Sequence, residues 1–361
     1  MAIDGHRAKE LNLWPMNTDS KIVSPTASPI AGPAPDSSEP IVVSSFYQFI
    51  PLEEAQLPEL RQKLKELGES LGLKGLFLLS TEGFNATVSG PREALNPFRS
   101  QMEALLGTGE DSPAGPVFYK DSLADKQVFL KMRVKIRPEI VTLGNPQVVP
   151  QSAVNHHLEP EEWHRILQDE DVVVLDTRNR YEYEIGKFKG AIDLNIDEFQ
   201  SFPQKAAESG IPKDKKILMY CTGGIRCEKA LIEMKNQGYR EVYQLNGGII
   251  NYLERFPQGH WEGECFVFDY RVAVDSQLKP SKTYGLCPHC GQPAKEKISC
   301  RQCGHEDVVC NHCLGSGDPA LHTCSKNCAH HFRMGHKSTR PHLDPLRRRG
   351  LESTSGSRGN Q

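Results

Sequence analysis

The pattern of apolar and polar positions changes character several times along the chain. From Ile41 the run IVVSSFYQFI is strand-like, and the LEEAQLPELRQKLKELGESLG that follows spaces its apolar residues at helical intervals. Two strand candidates come next, GLFLLS and FNATVSG, separated by Thr81, Glu82 and Gly83. A second helical stretch, PREALNPFRSQMEALLG, leads to VFYK and to VFLKMRVKIR. Strand, helix, strand, strand, helix, strand is the order of a split βαβ sandwich, with helices on one face of an antiparallel sheet, over about 41–145.

A different pattern opens near Leu158, where the helical segment EPEEWHRIL precedes DVVVLDTR. An unalternated, Val-rich run suits a strand buried on both faces of a parallel sheet. GAIDLN, KKILMYC and EVYQLNGG are further strands separated by helices, which predicts a three-layer α/β domain over about 155–260. Residues 284–338 are rich in Cys and His and poor in large apolar side chains, so this module is predicted to need metal to fold. Two disordered tails flank these units: 1–40, rich in Pro, Ser and Ala, and the basic 339–361.

Composition adds exclusions. The 361 residues include 43 Lys+Arg and 46 Asp+Glu, which fits a globular chain and rules out collagen, coiled coil and wholesale disorder. No run approaches the roughly 18 apolar residues of a membrane span, and the first twenty residues lack a signal peptide's apolar core. A cytoplasmic location without membrane contact is expected, as is the absence of any obligate protein partner. The net charge of −3 hides an asymmetry, since Arg271 onward holds 14 Lys+Arg against 7 Asp+Glu and the preceding residues 29 against 39. A basic module on an acidic body is the footprint of a polyanion binder, although Arg347, Arg348 and Arg349 amid Ser and Gly read as a solubilising tail.

The strongest catalytic signal is ILMYCTGGIRCEKALIEMK. An apolar strand ends at Tyr220, Cys221 opens a loop of Thr222, Gly223, Gly224 and Ile225, and an amphipathic helix begins near Ile225. That order aims backbone N–H groups and a helix N-terminus at the sulfur, and both lower a thiol's pKa and cradle an anion. Arg226 adds a fixed positive charge. Cys221 is therefore expected to be a thiolate near neutral pH, able to attack or to carry a persulfide, rather than a buried structural cysteine. Four residues separate Cys221 from Arg226, where the phosphatase version of such a loop carries five, so a sulfur-sized pocket is implied. Cys227 reads either as a thiol that resolves a persulfide or sulfenate on Cys221, or as a small core-facing residue.

Two further patterns carry chemistry. In KMRVKIR, Lys131, Arg133, Lys135 and Arg137 alternate with apolar residues, so a strand places all four charges on one face, either a solvated face or a phosphate-binding one. Eight cysteines fall into four close pairs: Cys287/Cys290, Cys300/Cys303, Cys310/Cys313 and Cys324/Cys328. Such spacing favours shared zinc over disulfides in a reducing compartment. CPHCG and CRQCG look like the two knuckles of a zinc ribbon around one ion, with the remaining four able to build a second site in which His312, His322, His330 or His331 replaces one thiolate. One or two structural zinc ions are expected. There is no flavin or nicotinamide motif, and His260-Trp261-Glu262, with no third ligand to complete an iron site, reads as linker.

The CxxGxR loop resembles that of the rhodanese superfamily, in which it carries the persulfide. Asp176, Thr177 and Arg178 resemble that family's second landmark, whose acid and base form a structural ion pair supporting the site. The likeness narrows: SFYQF, EGFNATVSG, KMRVKIR, RNRYEYEIGKF, MYCTGGIRCEKA, LNGGIINY and FVFDYRV occur in the order seen in the rhodanese-domain-containing tRNA uridine hydroxylases, the TrhO family, across residues 41 to about 275. That resemblance implies a ferredoxin-like (acylphosphatase-like) N-terminal domain, a rhodanese domain, and oxygen-dependent conversion of the wobble uridine of tRNA to 5-hydroxyuridine at Cys221. It makes molecular oxygen the cosubstrate and tRNA the partner, and it favours phosphate contact for the basic strand, which would position the tRNA without choosing its base. A persulfide sulfurtransferase for another acceptor is the alternative. A zinc-ribbon adapter with a vestigial catalytic domain is disfavoured by the intact Cys221 loop.

Overall fold

The computed structural model describes residues 40–150, 156–169 and 171–336. All but the last residue of the 1–40 tail, and the whole 339–361 tail with Arg347–Arg349, lie outside the described residues.

The N-terminal unit runs β1 (Ile41–Phe49), α1 (Leu57–Ser70), β2 (Lys74–Ser80), β3 (Gly83–Gly90), α2 (Arg92–Leu106) and β4 (Lys120–Ala124). Pro58 fits the first turn of α1, and Gly107, in the left-handed conformation, closes α2. The strand order β4-β1-β3-β2, antiparallel throughout, is that of the split βαβ sandwich. Two features depart from the sequence reading. The fourth strand starts at Lys120 instead of running through VFYK, and β5 (Met132–Ile136) adds in parallel to the outer edge of β2, making the sheet mixed. β5 takes the outer edge of β2, where Met132 and Val134 pack into the core that α1 helps to form.

Period-two alternation divides this sheet. Phe46, Phe77, Phe84, Ala86 and Val88 are buried in one core with Leu64, Phe98 and Met102 of the two helices. Their neighbours Ser45, Tyr47, Leu76, Leu78, Asn85, Thr87, Lys120, Arg133 and Lys135 line a cleft of about 2090 Å³ on the other face.

The second unit comprises β6 (His157–Leu158), α3 (Pro160–Asp169), β7 (Val173–Asp176), α4 (Arg180–Ile185), β8 (Gly186–Phe188), β9 (Ile192–Asp193), α5 (Phe202–Glu208), β10 (Lys216–Tyr220), α6 (Ile225–Asn236), β11 (Glu241–Leu245) and α7 (Gly248–Arg255). Its sheet, in the order β6-β11-β10-β7-β9, is parallel throughout. β10 lies at its centre, and Ile217 to Tyr220 are fully buried there, as an unalternated apolar run requires. One core gathers α5 and α6 on one side, and another gathers α3 and α7 on the opposite side.

Beyond α7 the chain forms short pieces: β12 (Trp261–Gly263), β13 (Cys265–Phe266), β14 (Ala273–Val274), the hairpins β15 (Gly285–Leu286)/β16 (Pro293–Ala294) and β17 (Glu296–Ser299)/β18 (Glu306–Val309), then α8 (Asn311–Leu314) and α9 (Lys326–Arg333). The expected linker at His260-Trp261-Glu262 is in part a strand, because Trp261 and Glu262 pair with Phe188 and Lys187 of β8. Among the described residues no helix is long and apolar enough to cross a membrane.

Candidate active site

Cys221 follows the central strand directly and is 1% exposed. The Gly224 N–H donates to its Sγ at 3.1 Å. Gly224 takes φ +99, and a Cβ there would meet the Tyr47 hydroxyl at 2.8 Å, so both the conformation and the space demand glycine. Gly248 (φ +68) lets α7 approach from behind, where a Cβ would strike the Cys221 carbonyl oxygen at 2.5 Å. Burial alone would push the Cys221 thiol up. A hydrogen bond from the Cys227 thiol, the Arg226 guanidinium and the loop N–H groups outweigh it and bring the pKa down to about 5. Burial and the hydrogen bond it gives to Cys221 push Cys227 well up, and Thr177 Oγ1 lies 3.5 Å from its sulfur. The two sulfurs thus divide their roles into a thiolate and the thiol that solvates it.

Arg226 is held by a buried carboxylate that sequence reasoning missed. Its guanidinium meets Glu182 at 2.6 and 2.8 Å, and the Thr222 hydroxyl donates to the same carboxylate at 3.3 Å. Glu182 also accepts from the Asn179 N–H at 3.3 Å, and the N-x-x-E spacing at the start of α4 was its visible signal. Asp176 and Arg178 form a fully buried pair at 2.6 Å, and Arg178 also donates to the Gly186 carbonyl at 2.6 Å. The pair lies at the C-terminal end of β7 and ties it to the start of β8.

The N-terminal sheet closes over this loop. Tyr47 donates to Glu228 at 3.0 Å, and Glu228 also takes His157 at 2.9 Å and Gln244 at 3.1 Å. Lys229, one residue on and fully buried, bridges Glu82 at 2.8 Å and Glu139 at 2.5 Å. Lys120 lies with its ammonium 4.7 Å from the Tyr47 ring centroid and 5.2 Å from that of Phe118. Phe268, 40% exposed, sits with its ring centroid 5.6 Å from the Arg226 guanidinium carbon. None of these residues has a sequence signal of its own beyond membership of a longer motif.

Of the four predicted basic residues, Lys131, Arg133 and Lys135 line the same cleft as Cys221. Only Arg133 and Lys135 fall within β5; Lys131 and Arg137 flank it and are exposed.

The eight tail cysteines come together as two groups of four, Cys287/Cys290/Cys310/Cys313 and Cys300/Cys303/Cys324/Cys328, each with its sulfurs within 4.8 Å of one another. This interleaving replaces the ribbon pairing of 287/290 with 300/303. The β17/β18 hairpin explains it: Cys300 and Cys303 occupy its turn, whereas Cys310 and Cys313 follow its far end, next to β15. Among the described residues no histidine enters either group. The donor chemistry fits a soft, tetrahedral S₄ metal site, and either group could hold an ion.

Fold and loop together define a rhodanese-like cysteine site capped by a second domain. Residues 41–140 match the UPF0176 acylphosphatase-like domain family, 159–255 the rhodanese-like domain and 262–329 the Rhodanase C-terminal family. A tRNA uridine(34) hydroxylase of Bdellovibrio bacteriovorus is 44% identical over 321 residues, covering 87% of this chain and 89% of that protein. Proteins of the same name from Synechocystis (43% over 281 residues, 74% and 98%) and Legionella pneumophila strain Paris (46% over 241 residues, 66% and 92%) are similarly related. The chain belongs to the tRNA uridine(34) hydroxylase family.

Proposed function

We infer that this protein hydroxylates the wobble uridine of tRNA to 5-hydroxyuridine with molecular oxygen as cosubstrate, acting in the cytoplasm. The observation that carries the reading is kinship with tRNA uridine(34) hydroxylases along 87% of the chain. The Cys221 thiolate is the reactive group of this reading, Arg226 and the loop N–H groups hold its charge, and Cys227 donates to it. Lys131, Arg133 and Lys135 supply phosphate contacts, a role supported by their place on the cleft wall, and Arg137 extends the basic run past the end of β5. Each four-cysteine group takes one zinc ion, whose part is to hold the C-terminal module against the cleft, where Cys287 and Cys324 are among the lining residues.

The test is mass spectrometry of tRNA nucleosides from a strain lacking the gene, complemented with wild type or with Cys221→Ser. Restoration of 5-hydroxyuridine by the wild type alone is expected. Restoration by both would remove Cys221 from the chemistry, and by neither would remove the activity.

A further inference from the structure

Five cations are buried in the described residues: Lys120, Arg178, Arg226, Lys229 and Arg271. Four are matched to carboxylates, Arg178 to Asp176, Arg226 to Glu182, Lys229 to Glu82 and Glu139, and Arg271 to Asp269. Lys120 is the exception. It is 7% exposed, and among the described residues no carboxylate or carbonyl takes its ammonium, which instead faces the rings of Tyr47 and Phe118. An ammonium buried without a hydrogen-bond acceptor is costly, so its place calls for a ligand that brings it an accepting, negatively charged atom.

Its surroundings say where that charge arises. Lys120 opposes Ser45 at one edge of the N-terminal sheet, and the row continues through Thr87 and Leu76 to Arg133 at the other edge. At about 4.8 Å per strand, Lys120 and Arg133 are about 19 Å apart, so Lys120 is no part of the basic strand. Its Cε is instead 3.6 Å from where a Cβ would stand on Gly223, two residues past Cys221, and both residues line the cleft. Burial lowers its pKa to about 8, while the Cys221 thiolate and Glu228 pull it back up.

We propose that Lys120 is a catalytic residue that binds a carbonyl oxygen of the substrate uracil and holds the negative charge gathered there when the Cys221 thiolate adds to the ring. The inference rests on the wobble-uridine reading. In the addition, the sulfur lone pair forms an S–C6 bond, the C5=C6 π bond breaks, and its electron pair moves through C4 onto O4 as an enolate. Lys120 donates a hydrogen bond to O4. The step is redox-neutral and reversible, and it leaves C5 electron-rich, the carbon that must acquire oxygen.

The experiment uses the full chain, tRNA lacking the modification, single-turnover formation of 5-hydroxyuridine, and separate measurement of tRNA affinity. Lys120→Met is expected to slow turnover about 10²–10³-fold, the usual loss of one placed donor, with affinity changed less than about threefold. Melting temperature serves as the fold control and should change little, since the thioether replaces a buried ammonium that makes no hydrogen bond or ion pair among the described residues. Lys120→Arg should recover part of the rate. It should also remove the fall in wild-type activity above pH about 8, because a guanidinium keeps its proton there. Turnover by Lys120→Met within threefold of wild type would overturn the inference. So would a loss confined to affinity, accompanied by a salt slope lowered by about one unit, which would make Lys120 a phosphate contact. A wild type that forms no 5-hydroxyuridine defeats the hydroxylase reading as well, whereas an active wild type with an equally active Lys120→Met defeats this inference alone.

Discussion

Lys229 of α6 and Glu82 of the β2–β3 turn meet at 2.8 Å in a buried contact that ties α6 to the N-terminal unit. Glu139 completes the clamp at 2.5 Å, and its carboxylate also takes the Leu143 and Gly144 N–H groups at 3.1 and 3.0 Å. Three segments far apart in sequence are thus joined within two residues of Cys227. Removing the shared cation leaves two buried carboxylates unmatched, so Lys229→Met should destabilise the chain by about 3–5 kcal/mol. Urea denaturation checks this, and a loss below about 1 kcal/mol would show that the clamp does not hold the domains together.

Cys221 should be alkylated by iodoacetamide with a pH profile that inflects near about 5 and stays flat through neutrality. In the unfolded chain a cysteine ionises near about 8.5. The folded pKa is the lower one, so the group's contribution to stability is fully present above the unfolded value and is lost as pH falls through about 5. Cys227→Ala removes the thiol that solvates the anion and should move the inflection upward. An unmoved inflection would assign the whole effect to Arg226 and the loop amides.

Zinc analysis should return about two ions per chain, and double variants discriminate the pairing. With the interleaved groups, Cys287→Ser with Cys313→Ser removes one ion, whereas Cys287→Ser with Cys303→Ser removes both. A ribbon pairing gives the reverse result.

Arg133→Glu with Lys135→Glu should weaken binding of all tRNAs alike and flatten the dependence of log affinity on log salt by about two units. Turnover of bound tRNA should suffer less, because these residues stand across the sheet from Cys221. Superimposable salt plots for wild type and double variant would mean that this strand face is only solvated.

Local patterns made much of this legible. The strand, Cys221, the glycine pair, Arg226 and the helix are contiguous in sequence, so their joint geometry follows from backbone conformation alone. The alternation in β5 placed Arg133 and Lys135 on one face for the same reason, since side-chain direction in a strand has period two. The centre of the parallel sheet, β7 and β10, was visible as unalternated apolar runs, because a strand covered on both faces has few polar positions.

The chain by itself therefore determined the thiolate loop, the order of the three units and the eight metal-competent thiols. Tertiary structure alone decided that Lys120 and Tyr47 cap Cys221, that Lys229 is shared between Glu82 and Glu139, and that the cysteine pairs interleave. The reason is physical: each of these depends on which edges and faces of separate units meet, and a lone buried lysine or tyrosine leaves no periodic trace. Its role is set by charges and rings brought to it from about a hundred residues away, and only the packed chain specifies them.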